Sequence, residues 1–301
     1  MATANQFNAD NSTTTATLQS PPQPQDVPII KAKDVARYGV ATIDKNASVY
    51  QAIALMVKRN VTGLPVVDGS TLLGIITEKD ALKLLYDTEF IAGCVGDYMT
   101  TGLVTFDEED DIADICQCLI KNHFRRVPIM HEGKLAAILS RADLIRANKD
   151  KFRPRSQRDA TRSRAGTMVA KDVMKYGLLT VKKTTFIYEA MGILAKKNIT
   201  GLPVVDERMN LIGIISEKDV LKLLYNPAAK SSIVQDYMTR DVISFEWDTS
   251  LFEICQCLIN NNFRRVPILD QGKLIGLISR TDIMAYIMKN RERFFEQKPK
   301  S

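Results

Sequence analysis

Four short segments place a hydroxyl residue three positions before an aspartate: Thr77-x-x-Asp80, Ser140-x-x-Asp143, Ser216-x-x-Asp219 and Ser279-x-x-Asp282. One use of this spacing is structural, because Ser or Thr followed three residues later by an acid is a helix capping box. A single copy would read that way. Three features point further. The acid is Asp every time, although Glu reaches back better for a cap. Each copy follows an apolar strand directly, so a helix N-terminus opens at a strand end, where free N–H groups and the helix dipole favour a phosphate. An aspartate beside it can accept from two vicinal hydroxyls, as on a ribose, and such charge-assisted bonds contribute about 1.5–3 kcal/mol each. A phosphate site next to a diol acceptor describes a nucleotide.

The elements that hold these groups are repeated. Lys33–Gly39 returns as Lys171–Gly177, Thr62–Asp68 returns unchanged as Thr200–Asp206, and Phe124–Ile129 returns as Phe263–Ile268. The second copy carries one extra residue in the Glu207–Asn210 turn. Each half repeats again: Gly74–Asp80 parallels Ala137–Asp143, and Gly213–Asp219 parallels Gly276–Asp282. One unit reads as a short strand at Ala41–Ile43, then a helix capped by Ser48 and Gln51 with Val49, Ala52, Ile53, Met56 and Val57 at helical spacing. Strands at Leu64–Val67 and Leu72–Ile76 flank an Asp68-Gly69 turn, and a helix follows from Glu78 to Tyr86. One such unit has little core, so units should pair.

Four units with G-x-P-V-like strands and [ST]-x-x-[DN] after the last strand resemble CBS domains, two tandem copies of which make a Bateman module. The resemblance implies a mixed α/β (α+β) fold of four β-α-β-β-α units in two modules. The units are residues 31–88, 93–147, 169–226 and 232–288. A disordered polar tail (1–30) precedes them, a basic linker (148–168) joins the modules, and a basic C-terminal tail (289–301) follows.

In the family, adenosine ligands bind in clefts between paired domains. Carried over, this implies ribose binding by Asp80, Asp143, Asp219 and Asp282, and phosphate binding by Thr77, Ser140, Ser216 and Ser279. The positions matching the adenine pocket are Thr42, Thr105, Thr180 and Ser244, with Thr62-Gly63 and Thr200-Gly201. Arg125-Arg126 and Arg264-Arg265 match a place where a nucleotide-sensing relative carries phosphate-binding residues, and arginine forks suit phosphate oxygens. The odd units carry Glu78 and Glu217 just after the hydroxyl, whereas the even ones carry Arg141 and Arg280. Unequal sites follow, with Asp143 and Asp282 better suited to phosphorylated ligands. Two departures could reshape a cleft. Ala36 replaces the Met found at Met99, Met174 and Met238, and Ala136-Ala137 stand where the fourth unit has Ile275-Gly276.

The composition narrows the function. The formal net charge is +6, and the segment Arg146–Arg164, with eight basic and two acidic residues, accounts for all of it. No apolar stretch approaches the ~20 residues of a membrane helix. The first thirty residues lack the basic start and apolar run of a secretory signal. With five cysteines, two histidines and no CxxC or HExxH, a metal site is not expected, and a cytoplasmic compartment is the simplest reading. Cys116, Cys118, Cys255 and Cys257 lie in apolar helical runs that suggest packing, His123 reads as a polar turn, and Phe294-Phe295 could anchor a partner or the fold. The leading expectation is a non-catalytic sensor of AMP, ADP, ATP or another adenosyl ligand, with no catalytic cofactor and with a protein target or homo-oligomer as partner. The alternative is a nucleic-acid or acidic-protein adaptor acting through residues 146–164, with the paired units as scaffold.

Overall fold

A computed structural model describes residues 30–87, 91–153, 168–221 and 231–295. Most of the polar tail, linker residues 154–167 and the end of the C-terminal tail lie outside the described residues.

The first unit contains β1 (Arg37–Tyr38), β2 (Ile43–Asp44), α1 (Val49–Arg59), β3 (Gly63–Asp68), β4 (Thr71–Thr77) and α2 (Glu78–Asp87). The second contains α3 (Val95–Tyr98), β5 (Phe106–Asp107), α4 (Ile112–Lys121), β6 (Arg126–His131), β7 (Lys134–Ser140) and α5 (Arg141–Asn148). The third has α6 (Ile187–Lys196), β8 (Gly201–Val205), β9 (Leu211–Ser216) and α7 (Glu217–Leu221). The fourth has β10 (Phe245–Glu246), α8 (Leu251–Asn260), β11 (Arg265–Asp270), β12 (Lys273–Ser279) and α9 (Arg280–Lys289), followed by a short α10 (Arg291–Phe295). The expected order of strand, helix, strand, strand, helix holds in the first, second and fourth units, and in the third a single parallel bridge from Val181 to Val204 stands in place of the leading strand. Ser48 caps α1 as the sequence implies: the Gln51 N–H donates to Ser48 Oγ at 3.1 Å, and the Ser48 N–H donates to Gln51 Oε1 at 2.8 Å. In the longer third-unit turn, Met209 takes the left-handed conformation (φ 63°) that Gly69, Gly133 and Gly272 supply elsewhere.

Within each module the two units exchange their leading segments. β1 pairs antiparallel with β7 of the second unit, Arg37 opposite Ile138 and Tyr38 opposite Ala137. In return Thr100 of the second unit bridges Ile75 of the first. The second module repeats both contacts, as Lys175 with Leu277 and Thr239 with Ile214. Each unit's last strand is thus completed by its neighbour's leader.

The apolar core has two parts, and each crosses the modules. One joins the first and third units, through Ile53, Leu64 and Leu82 with Ile187, Leu202 and Val220. The other joins the second and fourth, through Ile115, Leu139 and Leu144 with Ile254, Ile278 and Ile287. α2 packs on α6 and α7, and α9 packs on α4 and α5. Apolar faces too small to close alone are buried by the other module of the same chain.

The connecting and terminal segments also join the core. Phe152 and Phe294 are both buried, with ring centroids 4.7 Å apart. Arg293 Nη2 donates to the Lys151 carbonyl at 3.0 Å, and Lys151 donates to the Phe294 carbonyl. The aromatic residue that could have anchored a partner anchors the fold, and α10 packs against α9. Cys116 and Cys255 are buried, and burial pushes both thiols up to about 12.

Candidate nucleotide site

Each of the four hydroxyl–aspartate constellations sits where a hairpin strand runs into a helix. In each, one carboxylate oxygen closes the helix start. Asp143 Oδ2 accepts from the Ser140 N–H (3.0 Å) and Oγ (2.5 Å), and Asp282 Oδ2 accepts from the Ser279 N–H (2.8 Å) and Oγ (2.6 Å). Asp80 does the same for Thr77 (2.8 and 2.7 Å), and Asp219 for Ser216 (3.1 and 2.6 Å). Capping and ligand reading therefore need not exclude each other, because a carboxylate has a second oxygen. At Asp143 that second oxygen accepts from Arg37 Nε at 2.7 Å and Arg146 Nη1 at 2.6 Å. Burial raises the Asp143 carboxyl, but Ser140, Arg37 and Arg146 outweigh it and hold it below its usual range.

A cavity of about 920 Å³ gathers residues of all four units. Of the residues expected to touch ligand, it is lined by Thr62, Gly63, Arg125, Arg126, Ser140, Arg141 and Asp143, and by Thr200, Arg264, Arg265, Ser279, Arg280 and Asp282. Thr77, Asp80, Ser216, Asp219 and Gly201 do not line it, nor do Thr42, Thr105, Thr180 and Ser244. Thr105 instead borders a separate cleft of about 290 Å³ with Leu72 and Met130. Eight arginines and Lys175 face the cavity against two carboxylates, Asp143 and Asp282.

The paired arginines divide their work. Arg126 donates through Nη1 to the Gly63 carbonyl at 2.9 Å and through Nη2 to Thr62 Oγ1. Arg265 repeats this with the Gly201 carbonyl at 2.8 Å and with Thr200. Residues expected at the phosphate and at the base thus meet each other, and Arg126 and Arg265 reach the odd units' strand starts. The first arginines bind the odd-unit glutamates. Arg125 holds Glu217 with both guanidinium ends, at 3.1 and 3.2 Å. Arg264 reaches Glu217 Oε2 at 2.7 Å and also Glu78. Glu78 and Glu217 are buried, so the sequence contrast between odd and even units becomes a four-charge knot at the centre. Burial pushes the Glu78 carboxyl up, and Arg264 opposes this.

Arg141 and Arg280 begin α5 and α9. Their N–H groups donate to the Arg125 carbonyl (3.2 Å) and the Arg264 carbonyl (3.0 Å), which ties each helix start to its arginine pair. Arg141 Nη2 donates to the Leu119 carbonyl at 2.9 Å, and Nη1 donates to Thr281 of the other module. Arg280 Nη2 donates to the Leu258 carbonyl and to Asn262 Oδ1, each at 3.0 Å. Among the described residues, the buried Nε atoms of Arg141, Arg265 and Arg280 have no hydrogen-bond partner. Burial, reinforced by neighbouring arginines, pushes Arg126, Arg141, Arg265 and Arg280 down to about 10. Concentrated, incompletely paired buried cations are costly without a counter-charge, so the cavity suits an anion.

Sequence reasoning missed Arg37 and Lys175, because they belong to odd units yet stand at even-unit sites. The exchange of leaders carries them there. Even-unit leaders carry Thr100 and Thr239 at the matching position, so the odd sites receive no such cation. The repeat held a signal, since Arg37 and Lys175 match as bases. His123 and Asn262, with Asn60 and Asn198, follow helices in left-handed turns (φ 52–56°) and also line the cavity. The two small-residue departures fall at one contact. A Cβ on Gly74, Gly213 or Gly276 would lie 2.7–2.8 Å from the sulfur of Met99, Met238 or Met174. Ala137 carries that Cβ, and the leader paired with it carries Ala36 in place of Met.

Among the described residues, no group of three or more His, Cys, Asp or Glu could hold a metal, and no helix is long and apolar enough to cross a membrane. The CBS-domain family model matches residues 32–87, 95–150, 170–226 and 234–289. The uncharacterized protein MJ1225 of Methanocaldococcus jannaschii is 29% identical over 191 residues, covering 63% of this chain and 68% of that one. The crystal structure of MJ1225, described as a proposed archaeal homologue of γ-AMPK, matches with TM-score 0.76 at 21% identity, over 86% of this chain and all of that one. The inosine-5'-monophosphate dehydrogenase of the same organism is 34% identical over 122 residues, 40% of this chain but 23% of the enzyme.

Proposed function

Because the chain belongs to the CBS-domain family, with four such domains filling most of its length, we propose that it is a non-catalytic sensor whose central cavity binds an adenosyl ligand carrying phosphate. The observation that carries this reading is the pairing, in one cavity, of the Ser140–Asp143 and Ser279–Asp282 constellations with buried arginines whose Nε atoms lack partners. The aspartates supply acceptors for ribose hydroxyls, and the guanidinium groups supply forks for phosphate oxygens. Guanidinium groups dominate the lining, and these hold their proton throughout the working pH range and do not act as acids or bases. Such a lining suits binding rather than turnover.

The same geometry explains how binding could be read. Residues of both modules line the cavity, so a ligand touching both favours the arrangement that presents them together. It shifts that equilibrium by its differential affinity for the two arrangements. The sites are unequal in this reading: Asp143 and Asp282 carry the ligand, whereas Asp80 and Asp219 cap their helices away from the cavity.

Titration calorimetry with AMP, ADP and ATP tests this on the full chain and on Asp143→Ala, Asp282→Ala, Asp80→Ala and Asp219→Ala. The first two should each weaken binding about tenfold or more, the loss of one charge-assisted contact. The last two should leave it within twofold. Equal losses across all four would defeat the reading, as would the lack of binding by any of the nucleotides.

A further inference from the structure

The two even-unit aspartates share a sequence frame and have different neighbours. Asp143 is met by Arg37 of the first unit and by Arg146, one turn further along α5. The matching positions near Asp282 hold Lys175 and Ala285. A carboxylate offers about four acceptor positions. At Asp143 all four are filled: the Ser140 N–H and Oγ take two on Oδ2, and Arg37 Nε and Arg146 Nη1 take two on Oδ1. At Asp282 the Ser279 N–H and Oγ use Oδ2 alone. Among the described residues no ion pair joins Lys175 to Asp282, and Ala285 has no charge to offer.

A ribose therefore meets two different acceptors. Asp282 Oδ1 can accept from a hydroxyl at once, whereas Asp143 Oδ1 accepts only after an arginine leaves. Arg37 is the one placed to leave. Its side chain is 63% exposed and lines the cavity, and Asp143 is its only side-chain partner among the described residues. Arg146 lies outside the lining and donates from the same helix as Asp143. A guanidinium leaving one anion is best held by another, and a phosphate in the cavity supplies it. A phosphate-free adenosyl group does not. We propose that Arg37 is a specificity-determining latch, which closes Asp143 and opens for a ligand whose phosphate takes its guanidinium, while Asp282 accepts a ribose with or without phosphate. The inference rests on the nucleotide reading above and adds a difference in selectivity between its two sites.

Calorimetry with AMP and with adenosine on full-length single-site chains tests this. Asp282→Ala leaves the Asp143 site, and Asp143→Ala leaves the Asp282 site. Arg37→Ala is then added to the first. One charge-assisted bond from a guanidinium this exposed is worth about fivefold in affinity. Adenosine should therefore bind about fivefold more tightly once the latch is gone. AMP should bind about sixfold more weakly, because a guanidinium–phosphate bond worth about 30-fold is lost against that fivefold release. The opposite signs separate a latch from a structural role, which would weaken both ligands together, and melting curves confirm that each variant is folded. In the Asp143→Ala chain, Lys175→Ala should leave adenosine within about twofold. Adenosine that gains nothing from Arg37→Ala overturns the latch, and AMP that tightens along with adenosine overturns the exchange with phosphate. Either result leaves the nucleotide reading standing while AMP binds the unaltered chain. If neither ligand binds that chain, both readings fall.

Discussion

Glu217→Gln separates the two jobs of the central arginines. Glu217 is 1% exposed, and its two oxygens accept from both ends of Arg125 and from Arg264 Nη1 at 2.7 Å. Removing one partner of a buried ion pair costs about 3–5 kcal/mol. Two features reduce this here. The side chains of Arg125 and Arg264 are 27% and 22% exposed, so water reaches them, and glutamine keeps one acceptor oxygen. A loss of about 2 kcal/mol results, which lowers the melting temperature by about 4–8 °C at ~2–4 °C per kcal/mol for a fold of this size. Nucleotide affinity should move the other way. Cavity-facing Arg125 loses its carboxylate, whereas Arg264 keeps Glu78, and one recovered hydrogen bond to phosphate contributes about 2 kcal/mol, or roughly 30-fold in Kd. Thermal melting without ligand and calorimetric titration with AMP at ~0.15 M salt measure the two effects. Glu78→Gln should change both less, because Arg264 keeps Glu217. A variant that melts lower yet binds AMP no more tightly refutes the argument that the glutamates compete with phosphate for these arginines.

Three other outcomes are expected. Ala36→Met overfills the contact against Ala137 and should cost about 1–3 kcal/mol in urea unfolding. Adding Ala137→Gly should recover most of that, and a double variant no more stable than the single one would break the pairing. Asp143 has a carboxyl held below its ordinary value of 3.8, so its contribution is complete above that pH and is lost as pH falls through the lowered value. The gap in melting temperature between wild type and Asp143→Asn should therefore be constant from pH 7 to about 5 and close below about 3.8; a gap that widens on acidification reverses the sign and rejects the assignment. Phe294→Ala should cost about 3–5 kcal/mol, as expected for a buried aromatic. Phe295→Ala should cost far less, and equal losses would show that α10 does not anchor through Phe294.

The repeats alone determined much of this protein. The capping of α1 by Ser48 and Gln51, the hairpins and the four strand-to-helix constellations are local, and a chain records local structure in neighbouring residues. The placement of Glu78 and Glu217 against Arg141 and Arg280 was also legible, as an expected inequality between odd and even units. What the glutamates hold was not legible, because Arg264 lies 186 and 47 positions away from them and no periodicity reports such a pairing.

Tertiary structure decided which copies meet. Sequence placed Arg37 and Lys175 in odd units, and the exchange of leading strands delivered them to even sites. It also resolved the departures at Ala36 and Ala137 into one contact, since a methionine sulfur and a Cβ cannot share that space. The pairing of first with third unit and of second with fourth follows from burial, because each apolar helix face is completed by its equivalent in the other half. That packing brings Asp143 and Asp282 into one cavity and leaves Asp80 and Asp219 outside it. Four nearly identical motifs thereby acquire two environments, because electrostatics and burial are set by neighbours in space and the sequence orders neighbours along the chain.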